Sequence, residues 1–365
     1  MRVLLITPKF FTATIGGVPT VVRELARGLK AQGHQVLVVT DLEGGYPKEG
    51  WHQGIEYLQL PLRYRQVLPL FFALPGLNKR FRPELVNVHY PVGGQAMLGF
   101  FFSLFYRVPL VASLHYREPW HPDFLYRWAC GLVCRRAERV TACSGYLAGR
   151  SSQALGREVA TIYNGAGAAP DQAQAGMAEI ERPAEPGELF SCAGRFSKEK
   201  NFSVAIEAFS RLAAGHPGAR LSLAGSGPLE QELKRQAQNT APPGTVEFLG
   251  QLPPDGVMSM FSRSLAVVVP TIEEAFGLVV LEAMAAGAVV IGAGSGGIPE
   301  LIVDSESGLL FDPESPESLE AKMRWVLANQ KNLEQIRARG RAAARSFSWE
   351  RMAEGYQKIY AEAAG

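Results

Sequence analysis

The sequence predicts an α/β protein with two doubly wound parallel sheets, which we expect to face each other across a cleft. Short apolar runs alternate with longer segments of helical periodicity along most of the 365 residues. This alternation indicates parallel strands joined by crossover helices. It stops over residues 169–187, a stretch rich in Ala, Pro, Gln and Glu that reads as a linker, and then resumes. The chain therefore divides into two Rossmann-like domains, 1–168 and 188–348.

The first domain opens with a buried strand over Arg2–Thr7, because its apolar residues do not alternate, as in strands covered on both faces. A loop with Gly16 and Gly17 leads into a helix over Val18–Gln32. Further strands are expected at Gln35–Thr40, Leu85–Tyr90, Leu110–His115, Val140–Cys143 and Ala160–Tyr163.

Two histidines of this domain, His89 and His115, lie at the carboxyl ends of predicted strands. Open parallel sheets bind ligands at that edge. The residues alone leave open whether each histidine contacts a ligand or is a hydrogen-bonded structural residue. His115 and His121 have no third partner at a spacing that suits zinc, so we expect no metal site.

The second domain repeats the alternation of strands and helices. Strands are expected at Glu188–Ala193, Leu221–Ala224, Val246–Gly250, Leu265–Val269 and Ala288–Ile291. Three helices then follow, at Pro316–Asn329, Lys331–Ser346 and Trp349–Ala364.

The most informative segment is Pro270–Gly287, which connects two of these buried strands. Its predicted helix, Leu278–Ala286, carries a single charge, Glu282. Burying a carboxylate is costly unless something bonds to it, so Glu282 either satisfies a backbone group or binds a ligand. Glu274 precedes the helix start at Gly277, where unpaired N–H groups and the helix dipole favour an anion. Carboxylates for hydroxyl groups beside an anion site suggest a nucleotide sugar.

A basic loop follows the first strand of the second domain and carries Arg195, Lys198 and Lys200 before a helix at Phe202–Ala214. Arg195 and Lys200 would suit a diphosphate, since a guanidinium binds oxyanions as a fork and an ammonium acts as a point charge. A solvated basic turn would have the same composition, so these charges alone do not decide.

Together these segments resemble the retaining family 4 glycosyltransferases, also called glycosyl transferases group 1. The resemblance covers the whole chain and is most specific between Gly194 and Pro299. It departs from the family after Asn164-Gly165, where Ala166-Gly-Ala168 replaces the usual Val-Asp. The matching features are Glu274 and Glu282 at their spacing, Phe276-Gly-Leu278, Glu282-Ala-Met-Ala285, Gly194-Arg195 and Lys200-Asn201.

This resemblance implies the GT-B fold and a retaining, metal-independent transfer from a UDP-, GDP- or ADP-sugar to a hydroxyl acceptor, without a cofactor. It implies that the second domain holds the donor, and that the helix over 349–365 packs back on the first domain, which holds the acceptor. The catalytic residues that it implies are His115, Arg195, Lys200 and Glu274. The donor-binding set adds Gly16, Gly17, Gly225, Leu249, Gly250, Phe276, Gly277, Leu278 and Glu282.

Charge is divided unevenly between the halves of the chain. Residues 1–170 hold 19 Lys/Arg and 10 Asp/Glu, a net +9, whereas residues 171–365 hold 18 and 25, a net −7. The first half could therefore meet an anionic partner, although an uneven spread of solvated charge would look the same. Basic residues flank the apolar stretch Val67–Leu74, a pattern that suits either anionic lipid or a packed helix. They are Arg63, Arg65, Lys79, Arg80 and Arg82.

Other sequence features limit the compartment and the partners. No basic leader is evident, and the apolar runs fall short of the roughly 20 residues that span a bilayer. The four cysteines lack metal-ligand spacing and suit a reducing compartment. We expect a cytoplasmic protein, peripheral on the inner face of the membrane if it contacts lipid, and no nucleic-acid partner. The sequence carries no signal for the oligomeric state.

Three alternative functions fit parts of the pattern. Gly292–Gly297 matches the dinucleotide signature G-x-G-x-x-G, but Pro299 and Gly308 leave room for only one or two helical turns. We expect Gly296 and Gly297 instead to let the backbone approach the donor sugar. A sugar-nucleotide epimerase of similar fold and a non-catalytic partner subunit remain open, although the intact polar residues disfavour the latter.

Overall fold

The computed structural model describes residues 1–11, 17–62, 67–116, 118–120, 122–166 and 188–365. These residues form two units: the first joins Met1–Gly165 with Trp349–Gly365, and the second is Ala166–Ser348. Each unit is built around a largely parallel sheet, which confirms the predicted fold class. The linker predicted at 169–187 lies outside the described residues.

Eight strands occur in the described part of the first unit. They are β1 (Arg2–Thr7), β2 (Gln35–Thr40), β3 (Glu49–His52), β4 (Ile55–Gln59), β5 (Leu85–His89), β6 (Leu110–Leu114), β7 (Arg139–Ala142) and β8 (Ala160–Thr161). They form one sheet in the order β3-β4-β2-β1-β5-β6-β7-β8. Neighbouring strands are parallel except β3 and β4, which form an antiparallel hairpin at the sheet edge.

The helices of this unit cover both faces of the sheet. They are α1 (Gly17–Ala31), α2 (Val67–Phe81), α3 (Gly93–Tyr106), α4 (Phe124–Arg136) and α5 (Gly145–Leu155). α3 packs between α2 and α4. Helix α1 lies on the opposite face of the sheet from α3. The connection from β1 to β2 and the connections from β5 to β8 run in opposite directions across the sheet, so right-handed crossovers place their helices on opposite faces.

The second unit has six strands in its described part: β9 (Leu189–Ala193), β10 (Arg220–Ala224), β11 (Val246–Gly250), β12 (Ala266–Val269), β13 (Val289–Ala293) and β14 (Leu309–Phe311). All pairs are parallel, in the order β11-β10-β9-β12-β13-β14. The order reverses between β9 and β12, as in a doubly wound sheet.

Six helices surround this sheet within the described residues, and a seventh returns to the first unit. They are α6 (Phe202–Ala213), α7 (Glu230–Thr240), α8 (Pro254–Arg263), α9 (Leu278–Ala285), α10 (Pro316–Ala328), α11 (Leu333–Ser346) and, returning, α12 (Trp349–Ala364). α6 packs against α7 and α10 on one side, and α9 packs against α11 on the other.

Helix α12 is joined to the first unit by apolar packing on α1 and by buried hydrogen bonds. Asn87 Nδ2 donates to the hydroxyl of Tyr360 at 2.7 Å, and the hydroxyl of Tyr356 donates to Ser113 Oγ at 3.2 Å. Ser113 also donates to Asn87 Oδ1 and accepts from Thr141. These groups are buried and would be costly to leave unpaired, so they hold α12 in place.

In the described part of the chain, no helix is both long enough and apolar enough to cross a bilayer.

Candidate active site

The candidate residues of the second unit gather where β9 and β12 end. Arg195 follows β9 closely and Glu274 follows β12, and the two strands are parallel neighbours. Strand order reverses between them, so the loops after them diverge to opposite faces and leave a crevice. The fold therefore brings together two loops that are far apart in the sequence.

Lys200 and Glu274 meet in this crevice as an ion pair. Lys200 Nζ donates to Glu274 Oε2 at 2.6 Å, and the side chains are 28% and 19% exposed. The sequence predicts both as site residues, but this pairing is not predicted from it. An ammonium has three donors and a carboxylate has two oxygens, so both groups keep capacity for a ligand. The pair holds a donor and an acceptor side by side.

Arg195 lies in the loop after β9 that also carries Lys200. Its side chain is exposed, and no hydrogen bond or ion pair engages the guanidinium within the described part of the chain. Such a group is available to an anion and can bind it as a fork.

Glu282 lies on α9 with its side chain half-buried. Burial raises the pKa of Glu282, because leaving water disfavours the charged form. Among the described residues, no group donates a hydrogen bond to its carboxylate. Of the two alternatives that the sequence leaves open, the backbone partner is not found among the described residues, and contact with a ligand hydroxyl stays a prediction.

The start of α9 leaves its first turn open. Gly277 has φ = 107°, a left-handed conformation that suits glycine, and no side chain caps the helix. Leu278, half-buried, begins the helix. The ring of Phe276 is buried and packs on Phe347 at 6.0 Å between centroids, so Phe276 can serve a donor only through its backbone.

The predicted donor residues Gly225, Leu249 and Gly250 lie at the carboxyl ends of β10 and β11. Gly225 N donates to the carbonyl of Gly250 at 2.7 Å, and Leu249 is half-buried beside them. A Cβ on Gly225 would lie 1.9 Å from the carbonyl oxygen of Gly194. The turn at Gly225 therefore lies too close to the backbone of Gly194 for a larger residue. This contact explains a glycine at position 225 without a ligand.

The glycine-rich segment after β13 supports Glu274 rather than a dinucleotide. Gly297 N donates to the carbonyl of Glu274 at 2.7 Å, and a Cβ on Gly296 would lie 2.3 Å from the same oxygen. The segment continues into a single 3-10 turn, Ile298–Glu300. The structure shows that these glycines approach the backbone of Glu274, and their approach to a donor sugar stays a prediction.

In the first unit, His89 and His115 form a buried pair. His89 Nδ1 lies 2.9 Å from His115 Nε2, at the ends of the parallel neighbours β5 and β6. Burial lowers the pKa of His115 to about 4, and burial followed by the neighbouring His115 lowers that of His89 well below its usual value. Both rings are therefore neutral at pH 7. The position of each residue is predicted from its strand end, but their pairing is not.

Other predicted residues of the first unit are placed differently. Gly17 is exposed at the start of α1, whereas Gly16 and His121 lie outside the described residues. Carboxylates at the end of β2 serve the backbone: Asp41 accepts from Leu62 N, and Glu43 accepts from Phe10 N. No group of three or more His, Cys, Asp or Glu side chains in the described ranges could hold a metal ion.

Comparison with known proteins gives one family match for most of each unit. Residues 15–167 match the model for Glycosyltransferase Family 4, and residues 177–343 match that for Glycosyl transferases group 1. A glycogen synthase of Mycobacterium tuberculosis is 26% identical over 99% of this chain and 94% of its own length. A sulfoquinovosyl transferase of Arabidopsis thaliana is 27% identical over 95% of this chain and 70% of its own length.

Solved structures agree in fold. Sucrose-phosphate synthase from Thermosynechococcus elongatus has a TM-score of 0.80 and 20% identity, over 99% of this chain and 98% of its own. HepE from Anabaena, solved with UDP-glucose, has a TM-score of 0.79 and 19% identity, over 99% and 100%. The fold is that of the GT-B glycosyltransferases. The chain belongs to the glycosyl transferases group 1 family, as the resemblance in its sequence indicated.

The neutral histidine pair predicts sensitivity of the fold to acid. His115 has a pKa of about 4 in the folded chain and about 6.5 when unfolded. Between these values the unfolded chain binds more protons, so stability falls as the pH falls from about 6.5 towards 4. His115→Asn removes the part of this proton uptake that belongs to His115, whereas that of His89 remains, so the dependence should become shallower, measured as the urea midpoint between pH 7.5 and 5.0. An equally steep decline in His115→Asn would contradict the assignment.

Proposed function

We propose that this glycosyltransferase moves a sugar from a nucleoside diphosphate sugar to an acceptor hydroxyl, with retention at the anomeric carbon and without a metal. The observation that carries the proposal is the half-buried Glu282 carboxylate, which lacks a hydrogen-bond donor in the described chain. A ribose diol would supply two hydroxyl donors to its two oxygens. Binding would thus replace the solvation that burial of Glu282 removes.

The diphosphate would lie against Arg195, Lys200 and the open start of α9. Charge develops on the leaving diphosphate as the bond to the sugar breaks. A guanidinium, an ammonium and a helix amino terminus stabilise such charge when they are already in position. Together they would supply what a divalent cation supplies in metal-dependent transfer.

Glu274 would hold a hydroxyl of the donor sugar. Its ion pair with Lys200 occupies Oε2, which leaves Oε1 to accept from the sugar. In this arrangement one contact positions the sugar and the phosphate together. We assign the turns at Gly225 and Leu249-Gly250 to the nucleobase side of the donor, where backbone groups would read the base.

Retention is proposed from the family resemblance and from the carboxylates of the first unit. Asp41 and Glu43, at the carboxyl end of β2, already accept hydrogen bonds from backbone N–H groups. Neither is therefore offered as a nucleophile. We propose front-face departure, in which the leaving phosphate oxygen takes the acceptor's proton and neutral His115 contacts the donor sugar.

The relatives support a nucleotide-sugar donor. One solved neighbour, HepE, was determined with UDP-glucose, and one relative in sequence is named a glycogen synthase. We propose a UDP-, GDP- or ADP-sugar for this chain. A thermal-shift screen over these compounds would identify it, since ligand that binds the native state raises the melting temperature.

We also propose that the acceptor-binding unit contacts anionic lipid. The protein would then be cytoplasmic and lie on the inner face of the membrane. Phe71, Phe72 and Phe105 on α2 and α3 are 40%, 84% and 53% exposed, and the rings of Phe71 and Phe105 lie 5.4 Å apart. This aromatic cluster belongs to the half with a net +9 charge. The basic residues predicted to contact lipid are placed differently. Arg80 pairs with two glutamates, and Arg63 and Arg65 lie outside the described residues.

The diphosphate assignment predicts that Arg195→Ala and Lys200→Ala each weaken donor binding and slow transfer. Loss of a charge-assisted contact should cost about 1.5–3 kcal/mol, which is roughly 10- to 150-fold in affinity. Isothermal titration with the donor and initial rates would measure both effects. Lys198→Ala is the matched control, because Lys198 is an exposed cation in the same loop. This variant should bind donor normally. Normal affinity and turnover in both site variants would rule the assignment out.

Metal independence predicts that transfer continues in excess chelator. The chain has no Asp-x-Asp triplet, and the cationic groups above take the place of a metal. Transfer to acceptor would be followed in EDTA and after addition of Mn²⁺ or Mg²⁺. Activity lost in EDTA and restored by either ion would refute the proposal.

The same assay separates the alternative functions. Epimerised or hydrolysed donor with no acceptor product would indicate the epimerase, and donor binding without turnover would indicate a non-catalytic subunit.

Lipid contact predicts that the protein co-sediments with vesicles of phosphatidylglycerol and releases them as salt rises. The reason is that the Debye length falls to about 10 Å at 0.1 M salt, which weakens the attraction between exposed charges. Phe72→Ser with Phe105→Ser should abolish binding while leaving donor affinity unchanged. Trp325→Ser, an exposed aromatic of the second unit, should bind vesicles normally. A wild-type protein that ignores these vesicles at low salt would indicate a soluble acceptor.

A further inference from the structure

The first unit has a cavity at the edge of the sheet opposite to His89 and His115. Its volume is about 620 Å³, and it is lined by residues at or just before strand starts, among them Arg2 of β1, Gln35 of β2 and Arg82 before β5. The proposed transfer uses none of these residues. The cavity volume falls within the range of about 300–1,000 Å³ that is usual for small-molecule sites.

Positive charge dominates the lining of this cavity. Five cationic side chains and one carboxylate, Glu56, contribute to it; the cations are Arg2, Lys30, Lys79, Arg80 and Arg82. Arg80 pairs with Glu49 and Glu56, and Arg2 pairs with Glu84. Cations remain in excess when these three glutamates are counted. Like charges gathered in one place repel each other and lower stability, so an anion bound here would be favoured.

Lys79 and Arg82 are the cations that the protein leaves unused. Both are exposed, and no hydrogen bond or ion pair engages either side chain within the described ranges. Arg2 Nε donates to the backbone carbonyl of Arg82 at 2.7 Å, which holds the segment against β1. The guanidinium of Arg82 therefore projects from an anchored backbone and keeps its donors for a ligand.

Two of the uncharged residues in the lining, His34 and Trp51, offer further contacts to a ligand. Both ring nitrogens of His34 are buried without a hydrogen-bond partner, and burial lowers its pKa, so the ring is neutral at pH 7 and can donate one hydrogen bond. Trp51 is 68% exposed, with Lys30 Nζ 5.1 Å from the ring centroid. An indole so exposed offers an apolar face to the ring of a ligand.

We propose that this cavity is a second ligand site, which binds a small molecule carrying phosphate groups. Lys79, Arg82 and the other cations would bind the phosphate oxygens, His34 would donate to one of them, and Trp51 would cover the rest of the molecule. The site lies at the opposite sheet edge from the catalytic histidine. None of its lining residues belongs to the set proposed for the donor in the second unit.

The test follows the indole N–H resonance of Trp51, assigned with Trp51→Phe, during titration with inorganic pyrophosphate. We expect a saturable shift in the wild type. The same shift should persist in Arg195→Ala/Lys200→Ala, which removes the proposed donor contacts, so the two sites are told apart. Lys79→Ala/Arg82→Ala should weaken the apparent affinity at least tenfold. Lys358→Ala, an exposed cation on α12, is the matched control and should titrate as the wild type does.

A second arm separates the sources of phosphate. Vesicles of phosphatidylglycerol replace pyrophosphate in the same titration, with Phe72→Ser/Phe105→Ser as the background that lacks the aromatic cluster. A response to vesicles alone, lost in Lys79→Ala/Arg82→Ala, would assign the site to a lipid headgroup. No saturable response to either probe, or an undiminished response in Lys79→Ala/Arg82→Ala, would overturn the proposal.

Discussion

Parallel strand pairing is the constraint on which both units depend, because it brings the carboxyl ends of successive strands to one edge of the sheet. Lys200 and Glu274 are 74 positions apart and meet at 2.6 Å since β9 and β12 are neighbours. His89 and His115 are 26 positions apart and meet for the same reason across β5 and β6. In each unit the chemistry is thus assembled from loops that only strand order brings together.

Much of this fold could be predicted from the sequence because buried parallel strands appear as apolar runs without alternation. The hairpin β3–β4 was not predictable in that way. In β4, burial alternates along Ile55–Gln59, and the edge strand β3 has no fully buried residue. Their stability comes from pairing with β2 and from each other, which a local reading of the sequence does not include.

The strand ends at which the candidate residues lie could likewise be predicted, but not the partners of these residues. Glu282 stands out locally as one charge in an apolar helix. The Lys200–Glu274 pair depends instead on strand order, and the histidine pair does too. Glycines show the same limit: Gly296 appears suited to a close ligand, yet its neighbour in space is the backbone of Glu274. A glycine in the sequence indicates that another group can approach the backbone closely. Which group does so depends on the tertiary fold.

The discontinuity of the first unit has a consequence for biosynthesis. Its buried polar groups on β5, β6 and β7 find their partners on Tyr356 and Tyr360, which the ribosome adds only after the whole second unit. The nascent first unit therefore has no acceptor on α12 for Asn87 Nδ2 until Tyr360 is made, whereas the second unit is continuous in sequence. Premature termination before residue 349 would leave the first unit without its last helix beside a second unit that is complete in sequence.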